Sequence, residues 1–236
     1  MYSDEEVATA LHNLHALLLK KKGVGEKEGS DASGDGTGYS LTTSKHYESV
    51  TRELKDMAKE EQGRRQEGRE SSSPQQPPKE ETKKRAFAYS FRLMDLPTRM
   101  YLAYGSSLKS EKEAFDRAMK MLSRIDGVTL GSVRLDRYYG TLGYLDLFGR
   151  ETKVCIIPRS NATLIGSWRW KEAMIDFVKN AVKYLEQYYR RESSESGFAA
   201  DKKTLGWSVA RRREDRIDCA QFFTGLWHNL FNLSTL

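Results

Sequence analysis

The stretch YYRRESSESGFAADK, from Tyr188 to Lys202, decides how the chain is read. Tyr188, Arg191, Glu195 and Lys202 follow the spacing Y-x2-R-x3-E-x6-K. At the helical turn of about 100° per residue, all four fall within roughly a 60° arc of one face. That face carries a carboxylate, two cations and an aromatic ring, groups suited to holding a metal ion beside a DNA backbone. A plainer reading makes Arg191 and Glu195 an i,i+4 ion pair on a solvated face, worth about 0.3–0.5 kcal/mol. Ser193, Ser194, Ser196 and Gly197 around Glu195 are poor helix formers, so a kink or an end is expected there, with Lys202 turned away.

Upstream, Trp170, Met174, Phe177, Val178, Ala181, Tyr184, Leu185 and Tyr188 form a nearly continuous stripe at helical spacing. Downstream, Ile217, Ala220, Phe223, Trp227, Leu230 and Phe231 predict a last helix. At the other end, Ser3 with Glu6 forms a capping box ahead of Val7, Leu11, Leu14, Leu17 and Leu18, and the spacing predicts a helix over 1–24. A polar, Gly-rich loop leads from it into Asp35-Gly36-Thr37-Gly38-Tyr39. Phe87, Tyr89, Phe91 and Leu93 alternate at period two, and Met100–Tyr104 is a second strand of a pair turned at Asp95-Leu96-Pro97. Ser110 with Glu113 opens a helix through Ala114, Ala118, Met121 and Leu122. Val133–Leu135 delivers Asp136 from a short strand, and Val154–Ile157 is a buried strand closed by Pro158. This order suits an α/β architecture with a mixed sheet flanked by helices.

Residues 52–85 lack an apolar pattern and hold Lys59-Glu60-Glu61, Ser71-Ser72-Ser73-Pro74 and Pro77-Pro78. Such a segment buries too little to offset its ordering entropy, so a disordered charged insertion is expected. A net charge of +6 and a pI near 9.1 favour an anionic partner such as nucleic acid. Two cysteines, Cys155 and Cys219, and four histidines show no ligand spacing, which excludes a disulfide framework and a zinc cluster. Neither a signal peptide nor a run of 18 apolar residues is present, so a soluble, intracellular chain is expected.

Phosphodiester cleavage by two metals needs hard oxygen ligands converging from separate elements. Asp35 fits, because Gly-Thr-Gly after it lets a backbone approach closely, although D-G is also a common turn and Asp31 is a nearby competitor. Asp136 fits at the end of its strand, and a turn or helix cap is the plainer reading of it. Trp168 and Trp170 flank the start of the stripe, where core packing suits Trp170. Arg211-Arg212-Arg213 serve either as phosphate contacts or as a solvated helix start.

With Asp35-Gly-Thr-Gly-Tyr-Ser, Leu135-Asp136-Arg-Tyr-Tyr-Gly and Ile156-Ile157-Pro-Arg-Ser-Asn161-Ala-Thr, the Tyr188–Lys202 signature resembles that of DDE insertion-sequence transposases. The resemblance covers the chain from about Asp35 onward, outside the insertion. It implies an RNase H-like catalytic domain over 25–236, with Asp35, Asp136 and Glu195 as catalytic metal ligands for Mg²⁺, for which Mn²⁺ substitutes. It further implies that Tyr188, Arg191 and Lys202 contact the transposon end, with Trp168, Arg211 and Arg212 as further DNA contacts. The implied partner is double-stranded DNA, transposon ends and target, bound by a homodimer in a cytoplasmic, nucleoid-associated setting. Only about 34 residues precede Asp35, and no helix-turn-helix is evident in them, so N-terminal truncation is expected. An inactive remnant that still binds nucleic acid, or a nuclease without strand transfer, are the alternatives.

Overall fold

The structure is a computed structural model that describes residues 5–25, 29–42, 87–140, 142–211 and 213–234. Ser3, Arg212 and the expected insertion at 52–85 lie outside the described residues. In chain order the elements are α1 (Glu5–Lys21), β1 (Ser30–Leu41), β2 (Phe87–Asp95), β3 (Tyr101–Ser107), α2 (Glu111–Leu122) and β4 (Leu130–Leu135). A 3-10 turn (Arg137–Tyr139), α3 (Leu142–Leu145), β5 (Lys153–Cys155), α4 (Trp168–Lys179) and α5 (Ala181–Tyr189) follow. The chain continues through α6 (Glu192–Leu205), β6 (Ser208–Val209) and α7 (Glu214–Ser234).

The sheet runs β3-β2-β1-β4-β5, with the short β6 pairing the far end of β1. β2 is antiparallel to β1 and β3, whereas β4 and β5 run parallel to β1. The expected α/β class and mixed sheet are therefore present. β1 leaves towards β2 on one side and β4 towards β5 on the other, so the chain switches direction between β1 and β4. Ligands of open α/β sheets bind at such a switch point, outside the carboxyl ends of the strands.

β1 is longer than its sequence suggests, and Asp35-Gly36 lies inside it rather than in a turn. Its residues alternate strictly. Asp31, Ser33, Asp35, Thr37 and Tyr39 face α5 and α6, through bonds to Arg190, Ser194, Arg191, Lys202 and Arg92 respectively, the last from β2. The even positions are small because the other face lies close under α2 and the aromatic core: a Cβ on Gly34 would meet Phe91 and Leu135, and one on Gly36 the Glu111 side chain. On that side Phe91 packs edge to face on both Phe115 and Tyr139. α2 starts as expected, with Ser110 accepting the Glu113 amide at 3.2 Å. The Glu113 carboxylate does not complete the box; it takes the Ser107 hydroxyl and Arg117 instead.

Two helical expectations are corrected. The stripe from Trp170 to Tyr188 is broken at Asn180, whose non-helical φ/ψ ends α4 and whose side chain caps α5 through the Lys183 amide. The signature also spans two helices. Tyr188 belongs to α5, and Arg191 sits in a tight turn whose 3-10-type bonds, Arg191 N to Tyr188 O and Ser194 N to Arg191 O, redirect the chain into α6. The break falls before the small residues, which are helical in α6, so the four signature residues do not share one helical face.

Candidate active site

Parallel pairing of β1 with β4 places Gly34 beside Leu135, so Asp35 and Asp136 follow side by side on adjacent strands. Asp136 keeps extended backbone angles and heads the 3-10 turn, its carbonyl accepting the Tyr139 amide at 2.9 Å. It sits at a turn as the plainer reading expects, yet its side chain makes no cap hydrogen bond. Asp35 holds the Gly36 amide at 2.9 Å. Arg191 reaches in from the α5–α6 turn: its Nη1 lies 3.2 Å from Asp35 Oδ2 and its Nη2 2.8 Å from Glu195 Oε1. The expected Arg191–Glu195 ion pair therefore exists, with Glu195 53% exposed, but the same guanidinium, only 16% exposed, also joins Asp35. Tyr188 lies buried beneath it, with the guanidinium 5.9 Å from the ring centre.

The electrostatics distinguish Asp35 from its neighbour. Burial pushes the Asp35 carboxyl up to about 6; Arg191 and the Gly36 amide pull it down, whereas the carboxylates of Asp136 and Glu195 push it further up. Asp136 and Glu195 thus both act on Asp35, and Arg191 feels all three. Burial also raises the Asp31 carboxyl, but the Ser132 hydroxyl and the guanidiniums of Arg134 and Arg190 outweigh it and hold the group below the usual range. Asp31 is committed to structural pairs, and Asp35 is the acid with unmet charge.

Lys202 stands along the same face of β1. Its Nζ bonds Thr37 Oγ1 at 2.7 Å and lies 5.1 Å from the ring centres of Tyr39 and Trp207. Thr37 is two residues from Asp35, roughly 7 Å along the strand. Trp168 is 67% exposed at the start of α4, and Trp170 is buried with its indole N–H on the Thr163 carbonyl, as core packing implies. Arg211 is exposed ahead of α7. A cavity of 360 Å³ lined by Gly140, Arg159, Asn161 and Thr163 places the Ile156–Thr163 segment beside the turn that follows Asp136.

Three features were not anticipated. Glu111 of α2 packs under Gly36 and accepts the Tyr139 hydroxyl, adding a fourth acid near the Asp35–Asp136 pair on the opposite face of the sheet. Arg92, opposite Asp35 in the register, is fully buried and pairs with Asp201 of α6. Asp201 in turn takes the Tyr101 hydroxyl and, at 2.7 Å, His228 Nδ1 of α7. An arginine centred in an apolar strand, Phe91-Arg92-Leu93, was the available signal for that network, since a buried cation requires a buried partner.

The donors are hard oxygens, and three carboxylates gather round a single guanidinium, so the set suits a divalent cation in chemistry and in charge. As they stand, among the described residues no three Asp, Glu, His or Cys side chains are grouped closely enough to hold one. Among the described residues, too, no helix is long and apolar enough to cross a membrane.

Over 231 residues, 98% of its length, the chain is 42% identical to a probable transposase for insertion sequence element ISA1214 from Archaeoglobus fulgidus. The chain spans 61% of that relative. No protein-family model matches it, and no solved structure does.

Proposed function

We propose that the chain is the catalytic part of an insertion-sequence transposase, an RNase H-like core that cuts DNA at transposon ends and joins it to a target. The observation that carries this reading is the meeting of Asp35 and Asp136 on adjacent strands at the sheet's switch point, with Glu195 tied to them through Arg191. Similarity to a probable transposase over nearly the whole chain supports it. Asp35, Asp136 and Glu195 are the residues that would hold Mg²⁺, with Mn²⁺ as substitute. Bound there, the metal supplies activation of the attacking hydroxyl or water and neutralises charge at the leaving oxygen.

The chain's own residues set the geometry. Asp35 and Asp136 present oxygens from a rigid sheet, and Glu195 approaches on α6 from the side open to solvent. Arg191 and Lys202, flanking Asp35 along one face, take consecutive backbone phosphates of the DNA, and two copies act together on a pair of ends. Tyr188 supports the Arg191 guanidinium from below.

The test incubates the purified chain with Mg²⁺ and duplex DNA from the borders of its own element. Cleaved ends with joined products, lost in Asp35→Asn, Asp136→Asn and Glu195→Gln, are expected. Cleaved ends without joined DNA would leave a nuclease. Binding without metal-dependent cleavage would leave a remnant, a reading favoured by the guanidinium that now separates Asp35 from Glu195.

A further inference from the structure

Arg191 bridges Asp35 and Glu195 with two different nitrogens, at 3.2 and 2.8 Å. Oxygens that share one Mg²⁺ each stand about 2.1 Å from it, so they lie no more than about 4 Å apart. Among the described residues no three-acid cluster is preformed, and the guanidinium fork takes both carboxylates where a shared ion would.

The side chain is also built to leave. Its backbone is the tight turn between α5 and α6, and its partner Glu195, 53% exposed, opens the bridge to solvent on one side. A guanidinium released from carboxylates has a fork that fits a phosphate equally well.

We infer that Arg191 is the stand-in cation of the metal-free site: it holds Asp35 and Glu195 together, yields its place to a divalent ion, and carries its charge to a DNA phosphate on leaving. The inference rests on the reading of Asp35, Asp136 and Glu195 as a metal site, and it makes metal and DNA bind with positive coupling. Arg191 is then a competitor of the metal, which a residue that only touches DNA is not.

The experiment is Mn²⁺ titration of the full chain by electron paramagnetic resonance, with and without a short duplex oligonucleotide. Removing the competitor by Arg191→Gln should tighten Mn²⁺ about tenfold, about 1.4 kcal/mol. The duplex should tighten Mn²⁺ several-fold in the native chain and not in the variant. Arg191→Lys keeps the charge but lacks the planar fork that spans the two carboxylates, so an intermediate affinity is expected, and it carries the test if the Gln variant fails to fold. An unchanged or weakened Mn²⁺ affinity in these Arg191 variants, while Asp35→Asn abolishes binding, overturns the inference and leaves the metal site standing. Mn²⁺ binding that survives Asp35→Asn overturns the metal site itself, and the inference with it.

Discussion

Asp35→Asn should make the metal-free protein more stable at neutral pH, although Asp35 is one of the three acids proposed to hold the metal. Burial and two neighbouring carboxylates lift its carboxyl from the ordinary 3.8 to about 6. For an acid raised in the folded state, the associated stability is full below about pH 3.8 and is lost as pH rises through about 6. At about 1.36 kcal/mol per tenfold change in proton affinity, the full difference is about 3 kcal/mol. The same linkage gives a cost of about 1 kcal/mol at pH 4.5 and about 3 kcal/mol at pH 7.5. The side chain is 15% exposed, so solvent trims the upper figure to about 2 kcal/mol. Asparagine keeps an oxygen for the Gly36 amide, so the substitution removes charge and little else. Thermal melts in a chelating buffer should show a gain of about 4–8 °C near pH 7.5, at about 2–4 °C per kcal/mol for a chain of this size. Near pH 4.5 the gain should be less than half of that. Equal effects at both pH values, or a loss at pH 7.5, would mean that the Arg191 ion pair outweighs burial and that Asp35 carries no unmet charge.

Breaking the buried pair by Arg92→Met leaves Asp201 uncompensated and should cost about 3–5 kcal/mol in urea unfolding, part of which the double variant Arg92→Met/Asp201→Leu restores; a cost under about 1 kcal/mol would show that the pair does not anchor α6. Gly197→Ala puts a Cβ onto Met94 Cε, the mobile end of a flexible side chain, and 3.1 Å from the Tyr101 hydroxyl. The clash should cancel the gain of about 1 kcal/mol that Ala has over Gly in a helix, and a melt raised by the full gain would show slack between α6 and the sheet. Lys202→Ala should lower the slope of log affinity against log salt for duplex DNA by about 1, the signature of one lost phosphate contact. An unchanged slope would confine Lys202 to its place between Tyr39 and Trp207.

The elements that sequence gave away were those whose periodicity has one cause. β2 alternates because one sheet face receives Phe91 and Leu93 and the other Arg92 and Met94, and α2 announced itself by Ser110. β1 was harder because its period-two signal is polar against small rather than apolar against polar. Ser30, Ala32, Gly34, Gly36 and Gly38 alternate with Asp31, Ser33, Asp35, Thr37 and Tyr39, and both faces are covered. The break at Asn180 was hidden because apolar spacing reports which side chains are greasy, not whether the backbone continues. Val178 belongs to the stripe in sequence yet is exposed in the structure. Of the site, the three acids were legible as residue types in order. Their common cation was not, because one arginine serving two carboxylates from different elements leaves no trace in spacing.

The small residues round Glu195 have a structural reason that helix propensity misses. Ser194 is buried, within 3.2 Å of the Ser33 hydroxyl on β1, and Gly197 lies against Met94 and Tyr101 on β2 and β3. Larger side chains at 194 and 197 would lift α6 from the sheet. The Arg92–Asp201 pair pulls the middle of the same helix down, and Lys202 fixes its last turn to Thr37. These contacts recur on one side of α6 at positions 194, 197 and 201, the spacing of a helix face held against a flat support. Glu195 is the neighbour that this face turns towards Arg191 and solvent. Propensity given up at the serines and the glycine brings a carboxylate within one guanidinium of Asp35, which better helix formers with larger side chains could not do.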